Sequence, residues 1–184
     1  MSGPIHTLKH EHRVIERALR ALDGVCVRLV WGEQVPADVL ARLADFFRGY
    51  AHGFHHAREE TYLFPALQRE GIPRHGGTLG LIEQEHERER ELTEDMRRAI
   101  EGYKQVDPDA RQRFVEAAHR YSDLLLPHIE HEDSMLFRIA DELLDEEELK
   151  SLNESFNRAA VELGVDRLAV YEEMAAELEE TWGI

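Results

Sequence analysis

Apolar residues recur every three or four positions along almost the whole chain, the spacing of helices that bury one face. Glycine and proline punctuate the pattern, and strand-like two-residue alternation is nearly missing. A first helix (A) is predicted from about Pro4 to Trp31, with the proline at the first helical position. After "GEQVP" a second (B) runs to about Arg69, carrying Pro65 near its end. "EGIPRHGGT" is a loop, and a third helix (C) spans about Leu79 to Tyr103. Asp107, with Pro108 behind it, is the expected N-cap of a fourth (D), which reaches about Leu144 with a kink at Pro127. Two shorter helices follow, about Asp145 to Leu163 and Asp166 to Thr181. The predicted fold class is all-α. One domain covers 1–184: an antiparallel up-down four-helix bundle over about 4–144, and two additional C-terminal helices over 145–184.

Several polar residues interrupt the apolar stripes. Wound at about 100° per residue, helix D places His128 and Glu132 among Tyr121, Leu124, Leu125, Met135, Leu136, Ile139 and Leu143. Helix A puts His12 in line with Leu8, Ile15, Leu19 and Cys26, and helix C puts His86 in line with Leu79, Ile82 and Met96. Helix B is apolar nearly all round. Its "HHAREETYLF" holds two rival i, i+4 pairs, His55/Glu59 and His56/Glu60, which periodicity alone does not separate. An internal repeat does. "HHAREETYLF" resembles "HIEHEDSMLF", with His55 matching His128 and Glu59 matching Glu132, and Glu11-His12 of helix A matches Glu85-His86 of helix C. The repeat selects His55/Glu59 and leaves His56 and Glu60 as flanking, supporting groups.

Six inward groups result: His12, His55, Glu59, His86, His128 and Glu132. A single histidine on an apolar face is ordinarily a hydrogen-bonded core residue. Six groups obeying one repeat call for a common partner, because buried carboxylates are costly unless paired or metal-bound. Four imidazoles with two carboxylates suit iron, manganese or zinc, and a carboxylate able to bridge makes two ions the natural count. A single E-x-x-H, at Glu83/His86, falls short of the two that ferritin-like sites need.

Composition narrows the partners. With a net charge of −16 and no basic stripe, nucleic acid is excluded as an expected partner. No apolar run is long enough for a membrane span, the start has no signal-peptide pattern, and the expected location is the cytoplasm. One cysteine, Cys26, rules out a multi-cysteine site within the chain and reads as a small core residue.

The motifs "EHRVI", "HHAREETYLFPAL", "EHERER" and "HIEHEDSMLF", over about Leu8 to Asp141, resemble the hemerythrin-like (HHE cation-binding) family. The resemblance implies a non-haem iron centre, usually of two ions. His12 and His55/Glu59 would serve one half, and His86 and His128/Glu132 the other, with Glu59 and Glu132 as bridging carboxylates. One departure stands out. Oxygen-carrying members have a second helix C histidine four residues after the first, and that position is Arg90 here. Its pseudo-twofold counterpart on helix A is Glu16, so a Glu16–Arg90 ion pair is the expected arrangement, with Glu16 as a replacement ligand the sharper alternative. A changed iron position argues against reversible oxygen carriage and for binding of, or reaction with, dioxygen, nitric oxide or peroxide. The alternative function is a non-catalytic iron-handling or redox- and oxygen-sensing module acting through a protein partner or a second copy.

Overall fold

The computed structural model describes residues 3–184, and among them there are helices and no strands. Helix α1 (Pro4–Val30) is followed by α2 (Ala37–Phe46), which continues without a break through widened turns at Phe47–His56 and Glu59–Leu63 into α3 (Phe64–Arg69). Helix α4 (Thr78–Lys104) comes next. Then α5 (Ala110–His131) passes through a widened turn at Glu132–Leu136 into α6 (Phe137–Leu143). Helices α7 (Glu146–Leu163) and α8 (Val165–Trp182) close the chain. Counting each continuous rod once, six helices make up the described residues.

The rods pack as the apolar stripes require. Helix α4 lies along α5, α1 along α5 and α8, and α2 against α4. The core falls into two blocks. One, including Leu19, Leu22, Phe46, Phe47, Phe114 and Tyr121, fills the space on one side of a polar layer. The other, including Leu8, Leu63, Phe64, Leu79, Ile82, Leu136 and Phe137, fills the other side. Each fully buried side chain of this size stabilises the fold by about 1.5–3 kcal/mol. The candidate ligands occupy the layer between the blocks.

Two local expectations shift. Helix α5 begins at Ala110, because the Asp107 side chain accepts a hydrogen bond from the Asp109 N–H and closes a turn before the helix starts. Pro127 sits inside α5, and the regular winding gives way five residues later, where the Phe137 N–H bonds to the Glu132 carbonyl. The same i→i+5 bond joins the Phe64 N–H to the Glu59 carbonyl, so both halves of the sequence repeat carry the same widened turn. Such turns re-aim side chains relative to a regular helix and are frequent at functional sites.

The C-terminal helices cover one flank. Asp145 caps α7 with bonds from the Glu147 and Glu148 N–H groups, and Glu148 accepts the Asp145 N–H in return. Helix α8 buries Tyr171, Ala175 and Leu178, and Glu179 pairs with Arg17 and Arg20. It approaches α1 so closely that a Cβ on Gly24 would stand 1.8 Å from the Trp182 carbonyl oxygen.

Candidate metal centre

The site is built from four imidazoles, each held from behind. His12 Nδ1 lies 2.8 Å from Asp133, His55 Nδ1 2.9 Å from Glu11, His86 Nδ1 2.8 Å from Glu60, and His128 Nδ1 2.8 Å from Glu85. A carboxylate only accepts, so each Nδ1 is the donor and each Nε2 is left facing the layer between the core blocks. This carboxylate–histidine arrangement fixes ring orientation and is the usual support of a metal ligand. Glu11 is itself gripped by Arg58, whose guanidinium also donates to the Phe156 carbonyl (2.8 Å) and covers the Phe54 ring. Helix α7 therefore reaches the outer layer of the site.

Inside, the Nε2 atoms of His12, His55, His86 and His128 find no hydrogen-bond partner among the described residues, and neither do the oxygens of Glu59 and Glu132. Glu132 stands between the halves: Oε2 is 3.1 Å from His12 Nε2 and 3.3 Å from His128 Nε2, and Oε1 is 3.9 Å from His86 Nε2. Glu59 Oε2 is 3.8 Å from His55 Nε2 and 3.5 Å from His86 Nε2. Ligand atoms of His12, His55, Glu59 and Glu132 lie within 4.8 Å of one another, and those of His56, His86 and His128 form a second such set. Buried lone pairs and carboxylates left without hydrogen bonds are costly, and a cation satisfies both at once. The donor set fits a transition metal with borderline affinity for imidazole and carboxylate.

Without a cation the groups perturb one another strongly. Burial lowers the His12 imidazole, but Asp133 and Glu132 outweigh it and raise its pKa. His128 is likewise raised against burial by Glu132. Burial, with His12 beside it, pushes His55 down to about 4, and burial with Glu60 only partly opposing lowers His86. Glu59 is raised by burial and by Glu132, whereas Glu132 is lowered against burial by His128 and His12.

The supporting residues differ from expectation. Glu16 pairs with Arg13 on its own helix (3.1 Å), not with Arg90. Arg90 is part-exposed and bonds to Glu60 (3.1 Å) and Glu87 (3.2 Å), so it braces the clamp on His86 from outside. His56 and Glu60 do not pair across a surface turn. Glu60 turns to His86, and His56 is buried with its ring stacked on His86, centroids 3.8 Å apart and planes 9° apart. The widened winding runs through Phe47–His56, and both adjacent histidines are buried there.

Besides the clamps, Glu89 and His52 escaped the sequence reading. Glu89 is fully buried with both oxygens lacking a hydrogen bond. His52 bonds through Nδ1 to His56 Nδ1 (3.2 Å) and through Nε2 to Thr93 Oγ1 (2.9 Å). A cleft of about 620 Å³ beside α2 and α4 is lined in part by Arg48, His52, Gly53, Arg90 and Thr93.

The chain is 27% identical over 149 residues to the uncharacterized proteins Rv1995 of Mycobacterium tuberculosis and Mb2018 of Mycobacterium bovis, over 81% of this chain. It spans 58% of the length of these relatives. No solved structure matches it. The profile of the hemerythrin HHE cation binding domain matches residues 3–140, the stretch that carries all four clamped histidines together with Glu59 and Glu132. The chain belongs to the hemerythrin HHE cation-binding family.

Proposed function

We propose that this chain is a cytoplasmic, hemerythrin-like non-haem protein whose up-down four-helix core holds two iron ions and binds or reacts with dioxygen, nitric oxide or peroxide. The observation that carries the reading is the convergence of four clamped imidazoles and two bridging-type carboxylates, with every inward lone pair free of hydrogen bonds. His12, His55, Glu59 and Glu132 would hold one ion, and His86 and His128 the core of the other, with Glu132 and Glu59 reaching both. Zinc and manganese suit the same donors, and iron adds a redox-active centre able to exchange electrons with a small diatomic molecule or peroxide.

The chain's own residues define what such a centre meets. The clamps at Asp133, Glu11, Glu60 and Glu85 hold the rings in place, so little reorganisation is needed when a cation or ligand arrives. Leu63, Phe64, Leu136 and Phe137 wall one side of the layer and exclude water. The cleft lined by His52 and Thr93 gives a small molecule access to His52, which is hydrogen-bonded to His56. Because residue 90 is an arginine turned outward, the set lacks the extra helix histidine of oxygen carriers, which favours reaction over reversible carriage.

The test is spectroscopic. Protein loaded with ferrous iron without oxygen, then mixed separately with dioxygen, nitric oxide and peroxide, should change its charge-transfer absorption with at least one of them. An iron-loaded protein that responds to none would overturn the reading. Iron-dependent capture of a protein partner, with no ligand response, would point to a sensing module instead.

A further inference from the structure

One half of the centre is complete and the other is not. His12, His55, Glu59 and Glu132 supply two imidazoles and two carboxylates to the first position, whereas around the second the repeat supplies His86 and His128 and no carboxylate that the first position does not share. Arg90 contributes nothing inward there, since its guanidinium is paired with Glu60 and Glu87 at the surface. We propose that His56 and Glu89 are ligands that complete the second cation position and take the place residue 90 leaves open. The proposal rests on the metal-binding reading given above.

Three observations carry it. A ring nitrogen of His56 lies within 4.8 Å of ring nitrogens of His86 and His128, the spread that one cation can gather. His56 also repeats the clamp logic of the other four histidines: its Nδ1 is engaged from behind by His52, and its Nε2 faces a carboxylate, Glu89 Oε2 at 3.6 Å. Glu89 is the third. It is fully buried, neither oxygen has a hydrogen-bond partner among the described residues, and Oε2 faces His56 Nε2, whereas Oε1 approaches His128 only on the Nδ1 side that Glu85 holds. A carboxylate in that state calls for a cation.

His52, Glu89 and His56 also lie close enough to hold an ion of their own. Against that, both His52 nitrogens are engaged, Nδ1 with His56 and Nε2 with Thr93, and the Tyr121 hydroxyl is 3.4 Å from the latter. His52 is therefore a positioning residue. The donors left over, His56 Nε2 and the Glu89 oxygens, serve the position of His86 and His128.

Ferrous ions retained per chain, counted by elemental analysis after anaerobic loading and desalting, test this. Thermal unfolding of the metal-free proteins is followed alongside. Wild type should retain two ions. Glu89→Gln and His56→Phe, the latter keeping a ring against His86, should each retain one. Metal-free Glu89→Gln should melt at the wild-type temperature or above it, because an unpaired buried carboxylate has been removed. Two retained ions in both variants would overturn the proposal while leaving the metal-binding reading intact. A joint fall in ion count and metal-free melting temperature would mark Glu89 as structural and also overturn it. A wild type that retains no ion would overturn both.

Discussion

Glu89 stands three residues after His86, on the stripe formed by Leu79, Ile82, His86, Thr93, Met96 and Ile100. That placement was available in the sequence. It was hidden because "HERERE" reads as a solvated charged run, and only the helix phase separates the one buried glutamate from its exposed neighbours. The six ligand candidates were legible for the opposite reason: each interrupts an otherwise apolar stripe, and the repeat supplies a second copy as a check. The clamps were not legible, since Asp133, Glu11, Glu60 and Glu85 come from neighbouring helices and their pairing depends on rotamers and register. Their worth can be measured. Glu85→Ala frees the His128 ring, and loss of such a support typically costs about 10- to 100-fold in metal affinity. Competition with a chelator of known affinity should show that drop; an unaltered affinity would mean that His128 is oriented by packing alone.

At the scale of elements, the helix pattern was readable because each rod buries one face, and the predicted ends lie close to the observed ones. The widened turns were not readable. A three-to-four-residue apolar spacing fits regular and widened winding alike, so nothing in it separates the stretch that buries His55 and His56 from an ordinary helix. The last helix was legible as an element, but the closeness of α8 to α1 was not. That closeness depends on Gly24, where an added methyl group meets the Trp182 carbonyl. Gly24→Ala should therefore lower stability by about 1–3 kcal/mol, the usual cost of overpacking, and leave the number of bound ions unchanged. Urea unfolding checks the first, and elemental analysis the second. The exposed pairs of Glu179 with Arg17 and Arg20 add little by comparison.

For the whole molecule, a polar layer divides the apolar core, so the metal-free fold carries an electrostatic cost that depends on pH. His12, His128 and Glu59 have raised pKa values, and burial pushes Glu89 up to about 8. A group raised in the folded state holds protons that the unfolded chain has released, so its contribution falls as pH climbs through that window. The lowered histidines act in the opposite sense, with His52 pushed down to about 3 and His55 to about 4, chiefly by burial. Their effect ends near the ordinary histidine value of 6.5. Above 6.5 only the raised groups remain. Metal-free protein should thus lose stability between pH 6.5 and about 8, whereas metal-loaded protein, its ligands already deprotonated, should hold its melting temperature there. Parallel melting curves across that range check this, and identical pH profiles would count against a cation in the layer. Among the described residues no helix is long and apolar enough to cross a membrane. The most direct measurement is the iron content of the purified chain beside that of a His55→Ala/His128→Ala variant. The account predicts about two ions per chain for the wild type, from two buried donor sets, and a marked loss in the variant. Iron well below one ion per chain after loading, or the same content in the variant, would contradict it.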